Sequence, residues 1–486
     1  MKNTLLLILA LASTLSVIGQ GSEDARQFSQ TFYQGTAKSM ALGGALGAVG
    51  ADMTAMCINP GSMGVYRSSE LTMSTGLTDN FSNSTYYGSY GNSNHKVGMN
   101  IPNLGLVATR QRSNYGALRF TQFGIGLTRT NDFNSQTFAS GFNTSSSLMD
   151  NFLSQIPDDY NPNDFQYDFP FTLFPAYETY LLDIDEDGYF TSPVPQGEIQ
   201  QEQSKSFKGR SEEWTFAYSA NFNDRFFLGA SVGFNHIKRT GTKKHTEYTV
   251  GESPETNFRS FDFTEDISSN ATGFNLKVGA IYYLTNGIRF GFSYHTPTIY
   301  SFDESWKTIT DASYKPNDYY NSHYDIISRV SNYEYDLIPP QKLIGSMAFI
   351  IKHRGLIAFD AEMVNFAKAK FDCEDYDYAS VNREIHDTFG RTLNLRIGTE
   401  WQYKNVYLRG GCAYYGSPYK FGDGNGSVKK ATCGIGIQAD EDVQFDFAYE
   451  FSHCKQQYFL YAYEGLEPIH QSLNRSAFVV TMKIKF

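Results

Sequence analysis

Residues 476–486 read Ser-Ala-Phe-Val-Val-Thr-Met-Lys-Ile-Lys-Phe, with Phe478, Val480, Met482, Ile484 and Phe486 on one parity and Ala477, Val479, Thr481, Lys483 and Lys485 on the other. A period of two belongs to a strand with one greasy and one mixed face. Outer-membrane barrels close their cylinder with a last strand that ends on an aromatic residue, so membrane location is the first expectation. A strand of a soluble sandwich alternates in the same way, and this stretch alone leaves both readings open.

The other end of the chain points to export. Lys2, an apolar run from Leu5 to Val17 and small residues near Gly19 have the n-region, h-region and cleavage pattern of a secretory signal. Residues 1–19 are therefore expected to be removed, with the mature chain beginning near Gln20. No Cys sits at that junction, so lipoprotein processing is not expected. No later stretch approaches the roughly 18 to 20 uninterrupted apolar residues of a spanning helix, which leaves a periplasmic protein, a secreted protein or a barrel.

Composition favours the barrel. The 486 residues include 34 Tyr and 39 Phe but 3 Trp, with 41% hydrophobic residues, and the mean hydropathy is −0.39. Every second strand residue of a barrel meets lipid while large loops meet water, and that averages to such a profile. The formal charge of −11 argues against a nucleic-acid partner, whose phosphates need a basic surface. Cysteines 57, 373, 412, 433 and 454 are odd in number and scattered, so neither a disulfide framework nor a zinc spacing is readable. A Cys412–Cys433 hairpin bridge is left open.

Working inward from the last strand, alternation and turn residues give about fourteen strands: 70–78, 100–110, 117–129, 213–223, 226–238, 272–284, 287–296, 342–352, 355–366, 392–403, 405–415, 431–438, 443–451 and 475–486. Their connections alternate short and long. Asn223-Asp224, Thr285-Asn286-Gly287, His353-Arg354-Gly355, Lys404-Asn405 and Ala439-Asp440-Glu441 carry turn chemistry, whereas 130–212, 239–271, 297–341 and 367–391 are long and polar or aromatic. Short turns on one side and long loops on the other are the asymmetry of outer-membrane barrels, and an even strand count leaves both ends in the periplasm. Strand faces agree: Phe290, Phe292 and Tyr294 oppose Arg289, Gly291 and His295, and Phe445, Phe447 and Tyr449 oppose Gln444, Asp446 and Glu450. The expected fold class is all-β, a transmembrane antiparallel barrel over 69–486, with 130–212 as its largest extracellular loop.

The segment before the first strand differs in kind. Gly35 to Tyr66 is small and apolar with no alternation, which suits packing inside a lumen where Gly and Ala allow close backbone approach. The run Gly35-Thr36-Ala37-Lys38-Ser39-Met40-Ala41-Leu42-Gly43-Gly44, then Ala51-Asp52, then Asn59-Pro60-Gly61, resembles the N-terminal hatch of FadL/TodX-type long-chain fatty-acid and hydrocarbon transporters. The usual Asn-Pro-Ala of that family is here Asn59-Pro60-Gly61. The resemblance implies a monomeric fourteen-stranded barrel plugged by a hatch, here residues 20–68, in the outer membrane of a Gram-negative-type cell.

In strand three, Leu118 and Phe120 share one parity while Phe123, Ile125 and Leu127 share the other. Such a slip is the mark of a bulge, expected around Thr121-Gln122, with Gly124 and Gly126 nearby leaving the wall unfilled. An ordinary bulge with no passage remains open. In the family resembled, an inward kink of strand three makes a lateral opening, so the resemblance implies that Thr121, Gln122, Phe123, Gly124 and Gly126 line such a gap against Asn59, Pro60 and Gly61. In loop three, Leu148, Met149, Phe152, Leu153 and Ile156 fall at helical spacing, and Phe169, Phe171, Phe174 and Tyr177 follow. This apolar surface makes either a small core or a greasy groove; the resemblance implies a ligand-capturing groove that includes Phe171 and Phe174.

Asp183-Ile184-Asp185-Glu186-Asp187-Gly188 matches the first half of an EF-hand loop, but its twelfth position is Val194 rather than Glu. No metal and no cofactor is expected. The nine His are dispersed, and an enzyme is not expected. Arg289, Arg396 and Lys277 are the lumen cations that a carboxylate ligand would want, and Asp360, Glu362, Asp446 and Glu450 compete for them. The expected partners are a hydrophobic small molecule and outer-membrane lipid with lipopolysaccharide. The function expected is a passive channel for long-chain fatty acids or similar molecules, with capture in loop three and sideways release at strand three. The alternative is a surface ligand-binding protein, such as a haem or host-ligand receptor, using Tyr319, Tyr320, Tyr324, Tyr333 and Tyr335. A polar porin is disfavoured because a hatch would obstruct it.

Overall fold

Fourteen antiparallel strands close on themselves in the computed structural model, which describes residues 21–93, 95–112, 116–158, 160–251, 257–316, 321–352, 354–374, 376–422 and 426–486. They are β1 Glu70–Tyr86, β2 Lys96–Gln111, β3 Leu118–Asp132, β4 Ile199–Phe222, β5 Phe226–Thr249, β6 Phe258–Tyr283 and β7 Ile288–His295. The second half comprises β8 Lys342–Ile351, β9 Gly355–Asn365, β10 Arg391–Tyr403, β11 Val406–Tyr415, β12 Val428–Gln438, β13 Val443–Tyr458 and β14 Ile469–Lys485. Strand β14 pairs with β1 from Lys485 opposite Glu70 to His470 opposite Thr85, and Phe486 N donates to Ser69 O at 3.1 Å. Closure leaves no free edge at the junction of first and last strands, which is what a wall standing in lipid requires.

The alternation read in the sequence is the alternation of the wall. Leu71, Met73 and Leu77 face out and are exposed, while Thr72 and Ser74 face in and are buried. Paired residues share a face, so register identifies rows around the barrel. Trp214, Phe234 and Phe274 form one outward row, and Phe222, Phe226, Tyr282 and Phe290 another. The eight steps from Phe226 to Phe234 at about 3.4 Å each give roughly 27 Å of strand, or about 20 Å along the axis at the usual tilt. Two aromatic girdles at that spacing bracket the apolar belt of a transmembrane barrel. None of the described helices is long and apolar enough to cross a membrane.

Turn residues act as read. Asn223 and Asp224 adopt φ of 52° and 56°, and Lys404, at φ 54°, turns the two-residue hairpin in which Tyr403 pairs with Val406. The expected turn at His353 and the expected signal at 1–19 lie outside the described residues. Cys412 opposes Ala431 while Cys433 opposes Gly410, so the two sulfurs are staggered and the bridge does not form. All five cysteines are free.

Two readings of extent and position are corrected. Strands β4, β5 and β6 run well past the expected bounds, so 199–212, 239–249 and 258–271 are wall rather than loop. Beyond the membrane the outward face is polar, so greasy alternation no longer marks the strand. Likewise 297–341 contains strands Ile299–Tyr314, His323–Ile327 and Ser331–Ile338. The bulge of strand three is not at Thr121-Gln122. Leu118 pairs with Phe222 and Phe120 with Asn221, so Arg119 is the extra residue, and a second irregularity lies between Arg129 and Asn131. Phe120 then faces the lumen, with the Arg67 guanidinium 4.9 Å from its ring, which is the parity change seen in the sequence, displaced by about two residues.

Candidate functional site

The chain before β1 fills the lumen from top to bottom. Helix α1, Ser22–Ser29, lies high in the barrel. Ser22 Oγ donates to Glu384 Oε1 at 2.6 Å, Tyr419 Oη donates to Glu23 Oε2 at 2.9 Å, and Arg239 Nη1 pairs with Asp24 at 2.7 Å. Phe28 packs against Phe302 and Phe133, with ring centroids 4.8 and 5.6 Å away, and the Arg239 guanidinium stands 4.4 Å from its ring. Below α1 a tail follows β3: Phe32 N donates to Thr130 O (2.7 Å), Gln34 N to Arg129 O (3.1 Å), and Asn131 Nδ2 to Gln30 O (3.1 Å). The second irregularity of β3 therefore offers its carbonyls to the tail rather than to a neighbouring strand.

The hatch proper, with short helices α2 Ala37–Ala41 and α3 Ala55–Ile58, is bonded to one side of the wall. Asp360 of β9 accepts from Leu46 N and Gly47 N, each at 3.1 Å. Thr481 and Lys483 of β14 hold Ala37 N at 2.7 Å and Asp52 at 3.1 Å. Ser293 Oγ donates to Ile58 O at 2.6 Å, and Arg289 Nη1 to Val49 O at 3.1 Å. Asn59 does three things: Nδ2 reaches Gly47 O (2.7 Å) and Ala280 O (3.1 Å), while Oδ1 accepts from Gly61 N (3.0 Å). Backbone approach is close because the wall carries glycine; a methyl on Gly229 would stand 2.5 Å from the Pro60 carbonyl carbon and 2.8 Å from Gly61 N. Burial opposes ionisation of Asp52, yet Lys483 and Lys38 outweigh it and hold the carboxyl below its usual range.

Toward β2 and β3 the hatch presents thioethers. A methyl on Gly124 would lie 2.5 Å from Met63 Cε, and one on Gly126 2.6 Å from Met53 Cε and 2.7 Å from Met56 Cε. Gly124 and Gly126 thus leave no hole; methionine fills it. Polar contacts on this side include Gln122 Nε2 donating to Tyr66 O (3.0 Å) and Gly64 O (3.4 Å), Thr109 Oγ1 donating to Ser68 O (2.9 Å), and the Cys57 thiol lying 3.4 Å from Thr128 Oγ1. Asn59, Pro60 and Gly61 sit against β5 and β6, not against strand three, because Gly229 and Gly279 admit them there.

Thr121, Gln122, Phe123, Gly124 and Gly126 are paired without interruption to β2 and to β4. The break in the wall is one step outward. Strand β2 pairs with β3 from Gln111 opposite Phe120 only as far as Asn103 opposite Thr128; among the described residues Lys96–Asn100 pair with β1 alone, and Ile101 and Pro102 lie outside both registers. Pro102 lacks a donor N–H, and Ile101-Pro102 is the irregularity of the β1–β2 register. Asn103 Nδ2, bonded to Thr128 Oγ1 at 2.9 Å, closes the lower end of this seam. The tail Gln30–Gln34 backs it from the lumen.

Two of the three expected lumen cations are neutralised: Lys277 pairs with Glu213, and Arg396 stands 3.1 Å from Glu362. Arg289 instead holds the hatch and stacks on Tyr283 at 4.2 Å. Between the tail and Lys277, His295 and Lys342 a cavity of about 40 Å³ remains. It has room for a few waters and falls far short of the roughly 300 Å³ of a small-molecule site.

Loop three is a core rather than an open groove. Leu148, Met149 and Phe152 are buried with Phe165, Leu173, Phe258 and Phe261, and Phe171 packs on Trp306 with centroids 4.4 Å apart; Leu153, Ile156 and Phe174 form its half-buried rim. Helix α4, Leu148–Leu153, is tied to β5 by buried Glu247, which accepts from Ser147 Oγ (2.5 Å) and Leu148 N (2.9 Å). The sequence offered no sign of that carboxylate, nor of Arg239 or the tail. Asp185 accepts from Asp187 N and Tyr189 N, so it serves a turn, and the described residues hold no group of three or more metal-ligating side chains. Of the tyrosines considered for haem, Tyr319 and Tyr320 lie outside the described residues; Tyr335 stacks on Phe302 and donates to Glu304, and Tyr324 packs on Tyr180 and Tyr314.

No family model and no curated protein matches this sequence. Solved structures do match in fold. The toluene transporter TodX of Pseudomonas putida is 15% identical with a TM-score of 0.53, over 93% of this chain and 98% of that one. A FadL homologue of Pseudomonas aeruginosa is 13% identical with a TM-score of 0.58, over 94% and 99%. The CymD monoaromatic hydrocarbon channel is 12% identical with a TM-score of 0.51, over 93% and 97%. The chain has the fold of these transporters and channels, a multi-pass β-barrel of the outer-membrane type.

Proposed function

We propose that this barrel is a passive outer-membrane channel for hydrophobic small molecules, long-chain fatty acids or similar, working as a monomer. The observation that carries the reading is the seam above Asn103 and Thr128, where β2 and β3 are no longer paired, backed by the short tail Gln30–Gln34. A ligand enters past the rim of loop three at Leu153, Ile156 and Phe174, displaces the tail and α1, and leaves sideways through the seam. Displacement is required because the present cavity is too small. Sideways exit needs no energy source: each methylene that passes into lipid is favoured by about 0.8 kcal/mol. The fold shared with hydrocarbon and fatty-acid channels supports the same reading.

The test is uptake of labelled oleate and toluene by cells that lack their own hydrophobic channels. The whole chain is expected to raise uptake above the empty vector, and deletion of residues 21–34 to raise it further. Pro102→Val, which restores a donor beside the seam, is expected to lower it. Uptake at the vector level for both the whole and the shortened chain would overturn the reading.

A further inference from the structure

We propose that the outer face of the wall, just above the upper aromatic row, binds the phosphates of an outer-leaflet glycolipid. Outward residues two apart on one strand form successive rows. Above the row Trp214–Phe234–Phe274 comes Glu212–His236–Thr272, then Arg210–Lys238–Asn270, then Lys208–Thr240–Ser268. Arg210 is directly opposite Lys238, and Lys208 is their diagonal neighbour; all three side chains are exposed. Like charges facing each other across strands destabilise a sheet. In a chain of net charge −11, such a cluster needs an anion.

The rest of the same face shows how this protein ordinarily treats a lysine. Farther out, Lys244 pairs with Asp262 at 2.8 Å and Lys307 with Asp266 at 3.5 Å. Lys208 and Lys238 have no such carboxylate among the described residues. Arg210 does contact Glu212 at 2.9 Å, but that carboxylate also serves Arg129 at 3.4 Å. The other acid near Arg129, Asp132 at 4.0 Å, is buried. Lys96 of β2 reaches across the seam to Ser206 Oγ at 3.2 Å, which brings a further cation beside Lys208.

Height selects the occupant. Arg210 is four residues above Trp214, about 14 Å along the strand and roughly 10 Å along the axis at the usual tilt, which is headgroup level. Phosphates there would meet Lys208, Arg210 and Lys238 while the acyl chains of the same molecule cover the aromatic row of Trp214, Phe234 and Phe274 below them. A soluble phosphate would meet only the cations. A phosphorylated glycolipid matches both surfaces at once.

The experiment adds bis-phosphorylated lipid A, or its enzymatically dephosphorylated form, to the purified full-length barrel and reads bound lipid by native mass spectrometry. The phosphorylated form is expected to remain bound and the dephosphorylated form to be lost. The triple variant K208Q/R210Q/K238Q is expected to bind on the order of a hundredfold more weakly, since each cation near such a surface is worth about fivefold. K244Q/K307Q, whose lysines already have partners, is expected to bind as the parent does. Equal retention of both lipids, equal binding by the triple variant, displacement by excess inorganic phosphate, or an equal loss in K244Q/K307Q would each overturn the assignment. Hydrogen exchange on the parent chain needs no variant: lipid A is expected to protect 206–212 and 236–240, and protection elsewhere alone would overturn it. None of these readouts depends on transport.

Discussion

The hatch meets the wall in two unlike ways. Against β6, β7, β9 and β14 it is held by carboxylates, hydroxyls and backbone groups with defined geometry, centred on Asp360, Thr481, Lys483 and Asn59. Against β2 and β3 it leans Met53, Met56 and Met63 into glycine-lined wall. Hydrogen bonds between buried partners are lost as units, and a broken buried pair leaves an uncompensated charge. Thioether contacts are non-directional and yield by rotation. The hatch is thus bonded with defined geometry on one side and packed largely through thioethers on the other, which is the side of the seam.

The comparison can be broken most severely at the bonded side. Lys483→Met removes the ion-pair partner of buried Asp52 and one of the two cations on Asp446; a loss of about 3–5 kcal/mol is expected, read as a fall in thermal midpoint and as protease cleavage within 35–66. A matched pair sharpens it. Gly229→Ala pushes a methyl into the backbone at Pro60 and Gly61, and a loss of about 1–3 kcal/mol is expected. Gly124→Ala meets the movable end of Met63 at 2.5 Å, nearly the same nearest distance as that of the Gly229 methyl to Pro60 O, and under about 1 kcal/mol is expected. Equal losses in denaturant titration would dissolve the distinction.

Acid should act on the bonded side in a graded way. The carboxyl of Asp52 is held below its usual range, so its contribution is present above about pH 4 and is lost as the pH falls through the lowered value. Protease sensitivity of the hatch is expected to rise only in strong acid, and to be independent of acid at this site in Asp52→Asn. A small effect is likewise expected from Met53→Leu with Met56→Leu, which conserves volume and should cost under about 1.5 kcal/mol. A larger loss in a melting curve would mean that the methionines are as tightly specified as the bonded side.

How far the sequence could be read follows from the range of the forces involved. Alternation such as Phe478 to Phe486 is a local consequence of lipid on one face, and the strands in the membrane were legible for that reason. Where β4 to β6 leave the membrane, the outward residues turn polar, and Gln200 to Arg210 reads as loop although it is wall. The slip in β3 showed that a bulge exists, but its place at Arg119 depends on which residue of β4 lies opposite. Gly124 and Gly126 looked like a hole because the residues that fill them, Met53, Met56 and Met63, are some sixty residues or more away in the chain. The stripe from Leu148 to Ile156 was correctly apolar, yet its burial is decided by Phe258 and Phe261 of β6.

The sequence by itself determined that this chain is a closed barrel with a small-residue insert, because period-two alternation, turn residues and glycine content act within a few residues of themselves. Only the tertiary structure decided that the seam lies between Lys96–Pro102 and the end of β3, that the tail covers it, and that Arg210 faces Lys238. Each of these depends on register, and one residue of register reverses the face of every side chain in a strand.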